Sequence, residues 1–537
     1  MRDPTRATES PDRSRIVMMV LIFLASLTVF FLGSKATISV YDEGVILTGA
    51  LRVMDGEQPA ANFYVNYGPA QFYIVAWIFE LFGPSVTVGR IYDSANLAAV
   101  VCAAYWVARD LELRKSILAA FALIVLFLLL NRSPLYPVTP IIALLLLGCG
   151  LTIRALKSGG GVSGFLPLGA VIAAITLFRI DFGLISIAAF GTAVLVTLFM
   201  RVRAGSERFS RAAATMLGVV LITALAFAVT LAALYLAGFL GPAVHDLVTY
   251  NGRNFAEMRN IPFPSLAKAL SHPLDGIAIY LPFLATLLGG VACVFANRAG
   301  SGAERHTVPL IVLCSATLFF YTHALVRTDR YHTLISDIPA IIVFFLAIRL
   351  FSATAFPWPW FGIGLRLLKG MVVVIVMLFG LAELSQRDLV YSHLGAQRDT
   401  TLPAAKLFST DAERVAAARY VIKITEADDR ILSATGRHDK IFVNDIAFYF
   451  LVGRLPGTRW HQYDPGVQTS EAVQREMISE LEANDVKIIV ENTTWDLMME
   501  PNRSALSSGV TLLDSYIERN FQKDRQFGAI TILRRRD

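Results

Sequence analysis

The chain has 537 residues, of which 55% are apolar and only 17% charged, with a formal net charge of +6 and a mean hydropathy of +0.56. A soluble domain carries about 25% charged residues, so this composition excludes a purely soluble protein and points to a polytopic membrane protein with some soluble mass. The excess of positive charge is no sign of nucleic-acid binding, because the Lys and Arg residues sit in short loops between apolar runs, the pattern that orients membrane helices.

A spanning helix needs about 20 mainly apolar residues. On that rule the sequence predicts about eleven spans, near 16–34, 86–107, 116–131, 135–153, 163–178, 182–200, 213–238, 276–296, 307–325, 333–350 and 370–384. Arg2, Arg6, Arg13 and Arg15 precede the first run and no small-residue cleavage site follows it, so it reads as an uncleaved anchor. Segment 69–82 is apolar but short, opens on Pro69 and contains Glu80, and reads as an interfacial helix. With the N-terminus inside, the inner loops carry Arg109, Arg114 and Lys115; Arg154 and Lys157; Arg201, Arg203, Arg208 and Arg211; Arg298 and Arg305; Arg366 and Lys369. Every inner loop is therefore basic. Phe356 to Phe361 reads as an inner aromatic anchor, and Gly159-Gly160-Gly161 as a flexible connection, since it lacks the Lys and Ser/Thr of a phosphate-binding loop. Cys102, Cys149, Cys293 and Cys314 fall inside apolar runs and read as small core residues, with no metal-ligand spacing.

The odd number of spans places residues 385–537 outside. This tail is polar and alternates short elements: strands at 430–434, 440–443, 486–490 and 527–534, and helices at 469–483 and 509–520. That alternation predicts a small α/β layer domain. Phe448 to Leu451, followed by Gly453 to Pro456, Arg459 and Trp460, reads as core packing plus a turn, with an aromatic sugar-stacking rim as the alternative.

Ionisable residues in a membrane chain point to function by default, and four groups fall at the outer face. Asp42 and Glu43 follow the first span. Arg179 and Asp181 are squeezed between two apolar runs, where a plain helix-capping pair is an equal reading. The loop 239–275 contains His245, Asp246, Tyr250, Arg253, Asn254, Glu257, Arg259 and Lys268. Arg327, Asp329, Arg330 and His332 crowd three cations and an acid into six residues.

Tyr41-Asp42-Glu43-Gly44, Asn66-Tyr67-Gly68-Pro69, Leu81-Phe82-Gly83 and Arg90 stand in an order that resembles the first external loop of GT-C glycosyltransferases, in particular bacterial relatives of protein mannosyltransferases and aminoarabinose transferases. The resemblance covers residues 35–95, and Gly68-Pro69 stands where that family has Pro-Pro. It implies a GT-C fold: a transmembrane catalytic unit over residues 1–384, with external loops 35–85 and 239–275, and an extracytoplasmic α/β accessory domain over 385–537. It also implies transfer of a sugar from a polyprenyl-phosphate donor to a lipid, glycan or protein acceptor at the outer face of the bacterial cytoplasmic membrane, with inversion.

On this resemblance Asp42 is the candidate general base, and Glu43 orients it or the acceptor. Arg327, Arg330 and His332 are candidates for the donor phosphate, since a guanidinium fork suits two phosphate oxygens. Tyr67, Arg90, Arg179, Asp181, His245, Tyr250, Arg253 and Asp329 are candidates for substrate binding. No cofactor is firmly implied, a divalent cation is allowed, and no metal ligand is assigned. The alternatives are a transporter or flippase of lipid-linked sugars, against which the sequence shows no duplicated halves, and an inactive scaffold.

Overall fold

The computed structural model describes residues 11–537 except 35–36, 110–116, 131–132, 160, 252–256, 299–303, most of 354–401, 406–407, 409 and 537. The membrane part is a run of helices: α1 (Pro11–Leu32), α2 (Asp42–Met54), α3 (Ala70–Phe82), α4 (Val86–Arg109), α5 (Ile117–Leu130), α6 (Thr139–Ser158), α7 (Leu166–Phe178), α8 (Ile180–Arg203) and α9 (Phe209–Leu236), then α10 (Leu240–Asp246), α11 (Leu266–Ser271), α12 (Pro273–Arg298), α13 (Glu304–Tyr321) and α14 (Arg330–Ala353). Among the described residues eight helices, α1, α4, α6, α8, α9, α12, α13 and α14, are long and apolar enough to cross a membrane. The span expected near 116–131 forms α5 over the described residues 117–130, and that expected near 163–178 forms a helical run over 162–178 that includes α7; among the described residues both are shorter than 18 residues. The expected span 370–384 and the aromatic stretch 356–361 lie largely outside the described residues. The apolar segment 69–82 folds as α3, with Pro69 at its N-cap, where its missing N–H costs no hydrogen bond.

One bundle core joins Leu97 and Val101 of α4, Leu145 and Cys149 of α6, Phe182 and Phe190 of α8, Leu313 and Phe320 of α13 and Ile338 and Phe345 of α14. At one end Arg201 of α8 binds the Leu156 carbonyl of α6 at 2.7 Å and Glu304 of α13 at 3.0 Å. Arg201 thus ties together the ends of α6, α8 and α13 that border loops expected to be on the inner side.

The opposite end carries the C-terminal domain: α15 (Ala412–Ile424), β1 (Ile431–Ala434), α16 (Ala447–Val452), α17 (Glu471–Ala483), β2 (Ile488–Asn492), α18 (Leu512–Asn520), β3 (Phe521–Phe527) and β4 (Ile530–Arg535). The sheet order is β1-β2-β4-β3, with β1 and β2 parallel and the other pairs antiparallel. The expected strand at 440–443 is instead irregular. It leads into Asn444, whose amide binds the Ser433 and His461 carbonyls at 3.2 and 2.9 Å and so ties the segment by a side chain instead of a ladder. The final strand expected at 527–534 forms as β4, and an additional strand, β3, precedes it in a hairpin that turns at Gly528, where φ is +55°. Its first strand, β3, is a charged sheet edge, a composition that discourages edge-to-edge pairing.

Helix α2 ties the two parts together. It shares a core with α3 and the C-terminal domain, in which Val45, Ile46, Phe72 and Phe79 pack with Phe448, Phe450 and Leu451. Phe79 and Phe450 meet at 5.6 Å between ring centroids. Phe448 to Leu451 are therefore core, and the sugar-stacking alternative for them is excluded by burial. Ala447 N–H donates to the Val40 carbonyl at 3.0 Å, and Thr48 donates to the Ile446 carbonyl at 3.0 Å. Gly44 makes this approach feasible, since a Cβ there would lie 2.4 Å from the Ala447 nitrogen.

Candidate active site

The acidic pair occupies the first turn of α2, and its two members have different surroundings. Glu43 is fully buried and forms a two-pronged ion pair with the equally buried Arg90, the Nη2–Oε2 arm at 2.8 Å. Glu43 also accepts the Ser39 N–H at 2.9 Å, and Arg90 reaches the Thr37 carbonyl at 3.0 Å. Arg90, expected at a substrate, is thus turned inward onto Glu43, where it fixes the start of α2 against α4.

Asp42 is half-buried and accepts a 2.6 Å hydrogen bond from Ser133 Oγ. Burial pushes its carboxyl above the ordinary value. The Ser133 bond and the charges of His332 and Arg259 oppose that without cancelling it, and Asp329 adds to it. A carboxylate with a raised pKa is the better proton acceptor near neutral pH.

Around Asp42 stand groups from five segments. Tyr67 lies within its field, and its hydroxyl pKa is pushed up by burial first and by the Asp42 charge second. Arg179, at the junction of α7 and α8, lies 6.0 Å from the Tyr67 ring and 4.3 Å from Phe182. It also grips exposed Asp181 with two bonds of 3.0 and 2.5 Å. The α7–α8 junction is held by Gly68, whose N–H donates to the Phe178 carbonyl at 2.8 Å. A proline at 68 would have no N–H to give, and a Cβ there would sit 2.3 Å from the Leu177 carbonyl oxygen.

His332, in the first turn of α14, contacts Tyr136 at 6.4 Å and His323 at 5.4 Å between ring centroids. Its Nδ1 lies 2.8 Å from Asp329 Oδ1, which also accepts the Tyr331 and His332 N–H groups at 3.0 Å each. Burial alone would raise the Asp329 carboxyl, but the His332 bonds and charge, with Arg327, outweigh it and hold Asp329 below its ordinary value.

The expected phosphate cations are engaged with acids. Arg327 binds Glu500 of the C-terminal domain through two bonds of 2.8 and 2.5 Å, and Asp329 at 3.1 Å. Arg330 meets Asp275 at 3.4 Å, and Asp275 is half exposed. His245 and Tyr250 lie in a second group: their rings are 6.1 Å apart, and Tyr250 is 5.1 Å from Trp460 of the C-terminal domain. Arg253 lies outside the described residues.

Five participants were not marked by the sequence: Ser133, Tyr136, His323, Arg259 as a neighbour of Asp42, and Asp464. Asp464, buried in the C-terminal domain, accepts from Tyr41 at 2.7 Å, Asn66 at 2.6 Å, Arg259 at 2.9 Å and Gln462 at 3.0 Å. For His323 a signal existed: an imidazole at the end of an apolar run. Its Nε2 is buried without a hydrogen-bond partner. Among the described residues no cluster of three His, Cys, Asp or Glu side chains is arranged around a metal position. Asp42 and Asp329 are both occupied by protein donors.

The sequence matches no protein-family model, and no curated protein matches it significantly. Solved structures do match. ArnT from Cupriavidus metallidurans bound to undecaprenyl phosphate shares 14% identity over 97% of this chain and 98% of that one, with a TM-score of 0.51. An oligosaccharyltransferase from Archaeoglobus fulgidus, in complex with zinc and sulfate, shares 11% identity over 88% of this chain and 67% of that one, with a TM-score of 0.48. The bundle of candidate spans and the sheet-bearing C-terminal domain, matched along nearly the whole ArnT structure, give this chain the GT-C fold.

Proposed function

We propose that the protein is an integral-membrane glycosyltransferase that moves a sugar from a polyprenyl-phosphate carrier to a hydroxyl of a lipid, glycan or protein acceptor. The observation that carries the reading is Asp42: a half-buried carboxylate with a raised pKa, gathered with Arg179, Arg259, Asp329 and His332 at the ends of membrane helices. The ArnT likeness, in a structure that holds undecaprenyl phosphate, supports a lipid-linked donor. The basic loops bordering the tied ends of α6, α8 and α13 at the opposite end support an outer-face site in a bacterial cytoplasmic membrane, with the C-terminal domain outside.

In the proposed reaction the acceptor oxygen attacks the anomeric carbon from the side opposite the phosphate, and Asp42 takes its proton. The bond from the anomeric carbon to the phosphate oxygen breaks and its electron pair leaves with the phosphate, so the configuration inverts. The phosphodiester monoanion becomes a monoester with a second charge, and nearby cations stabilise that charge. A unit pair at about 4 Å contributes roughly 4 kcal/mol at an effective dielectric near 20.

Arg330 and His332 are assigned to the phosphate, because Arg330 meets its acid at a longer distance and that acid is half exposed. Arg327 joins them when phosphate displaces Glu500, one oxyanion for another. Glu43 acts through Asp42: its bond with Arg90 sets the first turn of α2. Arg179, Tyr67 and Asp181 are assigned to the sugar, and His245 and Tyr250 to the acceptor.

The test is transfer by the purified full chain in lipid nanodiscs, with a synthetic polyprenyl-phosphate sugar and a panel of lipid and glycan acceptors. Carrier-dependent product supports the reading. Absence of product, with the lipid-linked sugar crossing leaflets in vesicles, replaces it with a transporter.

A further inference from the structure

We propose that the loop 495–500 of the C-terminal domain is a membrane anchor, seating Leu497, Met498 and Met499 in the lipid interface beside the start of α14. The side chains are three consecutive apolar groups with exposures of 88%, 47% and 69%. Among the described residues of the C-terminal domain, the exposed large apolar side chains are these three and Leu506, all on one connection between β2 and α18. A water-facing domain scatters such groups, and a single cluster of them marks a contact surface.

The position of the cluster names its occupant. Glu500 follows Met499 directly and is clasped to Arg327 by two hydrogen bonds. Arg327 stands three residues before Arg330, the first residue of a span. Consecutive Cα atoms are about 3.8 Å apart, so Met499 lies next to that boundary and Leu497 within about 11 Å of Glu500 along the chain. Headgroup layers extend about 5–8 Å beyond the hydrocarbon on each side. Leu325 and Val326, just before Arg327, are also exposed at this level.

The loop is ordered on both sides of its tip. Met498 N–H donates to the Trp495 carbonyl at 3.0 Å. The Asn492 and Asn502 side chains accept from the Thr494 and Ser504 N–H groups at 3.1 and 3.0 Å. The tip is therefore presented, not frayed, and flexible methionines suit a fluid partner. Such an anchor fixes the height of the C-terminal domain over the membrane whatever reaction the site performs, so the inference does not depend on the proposed function.

The experiment uses the full chain, with its four cysteines replaced, in vesicles of neutral phospholipid. Met498→Cys and Met499→Cys carry an environment-sensitive fluorophore, and Arg475→Cys on exposed α17 is the control. Spin labels at the fifth acyl carbon are expected to quench both loop positions, with blue-shifted emission and protection from aqueous iodide. The control is expected to show the reverse. Iodide quenching of the loop equal to that of the control overturns the proposal. Lipid quenching that appears only after polyprenyl phosphate is added also overturns it, because the loop would then cover a ligand chain and not the bilayer.

Discussion

The Tyr41 hydroxyl donates to Asp464 Oδ1 at 2.7 Å, joining the residue directly before Asp42 to a carboxylate 423 positions later in the chain. Asn66, directly before Tyr67, is held by the other oxygen of the same carboxylate. The C-terminal domain therefore contributes to the walls of the candidate site and does not merely cover it.

Asp464 balances buried Arg259, and Arg259 acts on Asp42. Removing one partner of a buried pair costs about 3–5 kcal/mol, so Asp464→Ala is expected to lower the thermal midpoint of the purified protein markedly. Asp464→Asn keeps the shape but leaves Arg259 uncompensated. The extra positive potential draws the Asp42 pKa down, and the acidic limb of the pH–rate profile moves to lower pH. An unmoved limb in the folded Asn variant contradicts this coupling.

Ser133→Ala is expected to move that limb the other way. Burial raises the Asp42 pKa, and the Ser133 hydroxyl, by donating to the carboxylate, holds part of the rise back. Without it the pKa climbs further, so activity that requires the carboxylate is lost at a higher pH while the rate well above the limb changes little. The measurement is kcat/KM against pH for wild type and variant.

Arg90→Met leaves Glu43 charged and fully buried with no counter-ion, at an expected cost of about 3–5 kcal/mol. Adding Glu43→Gln removes the stranded charge and is expected to restore a substantial part of that loss. A double-mutant cycle on thermal inactivation measures it, and additive losses would mean the pair is not coupled.

Gly44→Ala is expected to destabilise the junction of α2 with the C-terminal domain, since its Cβ meets the Ala447 nitrogen at 2.4 Å. Overpacking of this kind costs about 1–3 kcal/mol. Gly241→Ala, in α10 with open space around it, is the control and is expected to be neutral or slightly stabilising. Limited proteolysis of the two variants compares them.

The bundle was legible because apolar runs of membrane length leave few alternatives, and Asp42, Arg179 and Arg327 were conspicuous as charges at their ends. Helix α2 was not, because it is buried on nearly every side between α3 and α16 and so shows no amphipathic stripe. Strand β3 was hidden by its run of exposed charged and polar residues. Ser133 and Asp464 reach Asp42 and Tyr41 across 91 and 423 residues, and hydrogen bonds of that span leave no local pattern. Gly68 is the opposite case: a departure from the resemblance in the sequence becomes, in the structure, the donor that holds the α7–α8 junction.

The most direct test of the central assignment is Asp42→Asn, assayed for transfer from a polyprenyl-phosphate sugar beside Glu43→Gln. Asn fills the same space and can still accept from Ser133, and it removes a carboxylate whose burial is unfavourable, so the variant is expected to be at least as stable as wild type at neutral pH. The predicted result is a rate loss of about 10²–10⁴ with donor binding retained, and for Glu43→Gln a smaller loss of rate accompanied by lower stability. A folded Asp42→Asn protein that transfers sugar at near the wild-type rate would contradict the assignment of Asp42 as the base.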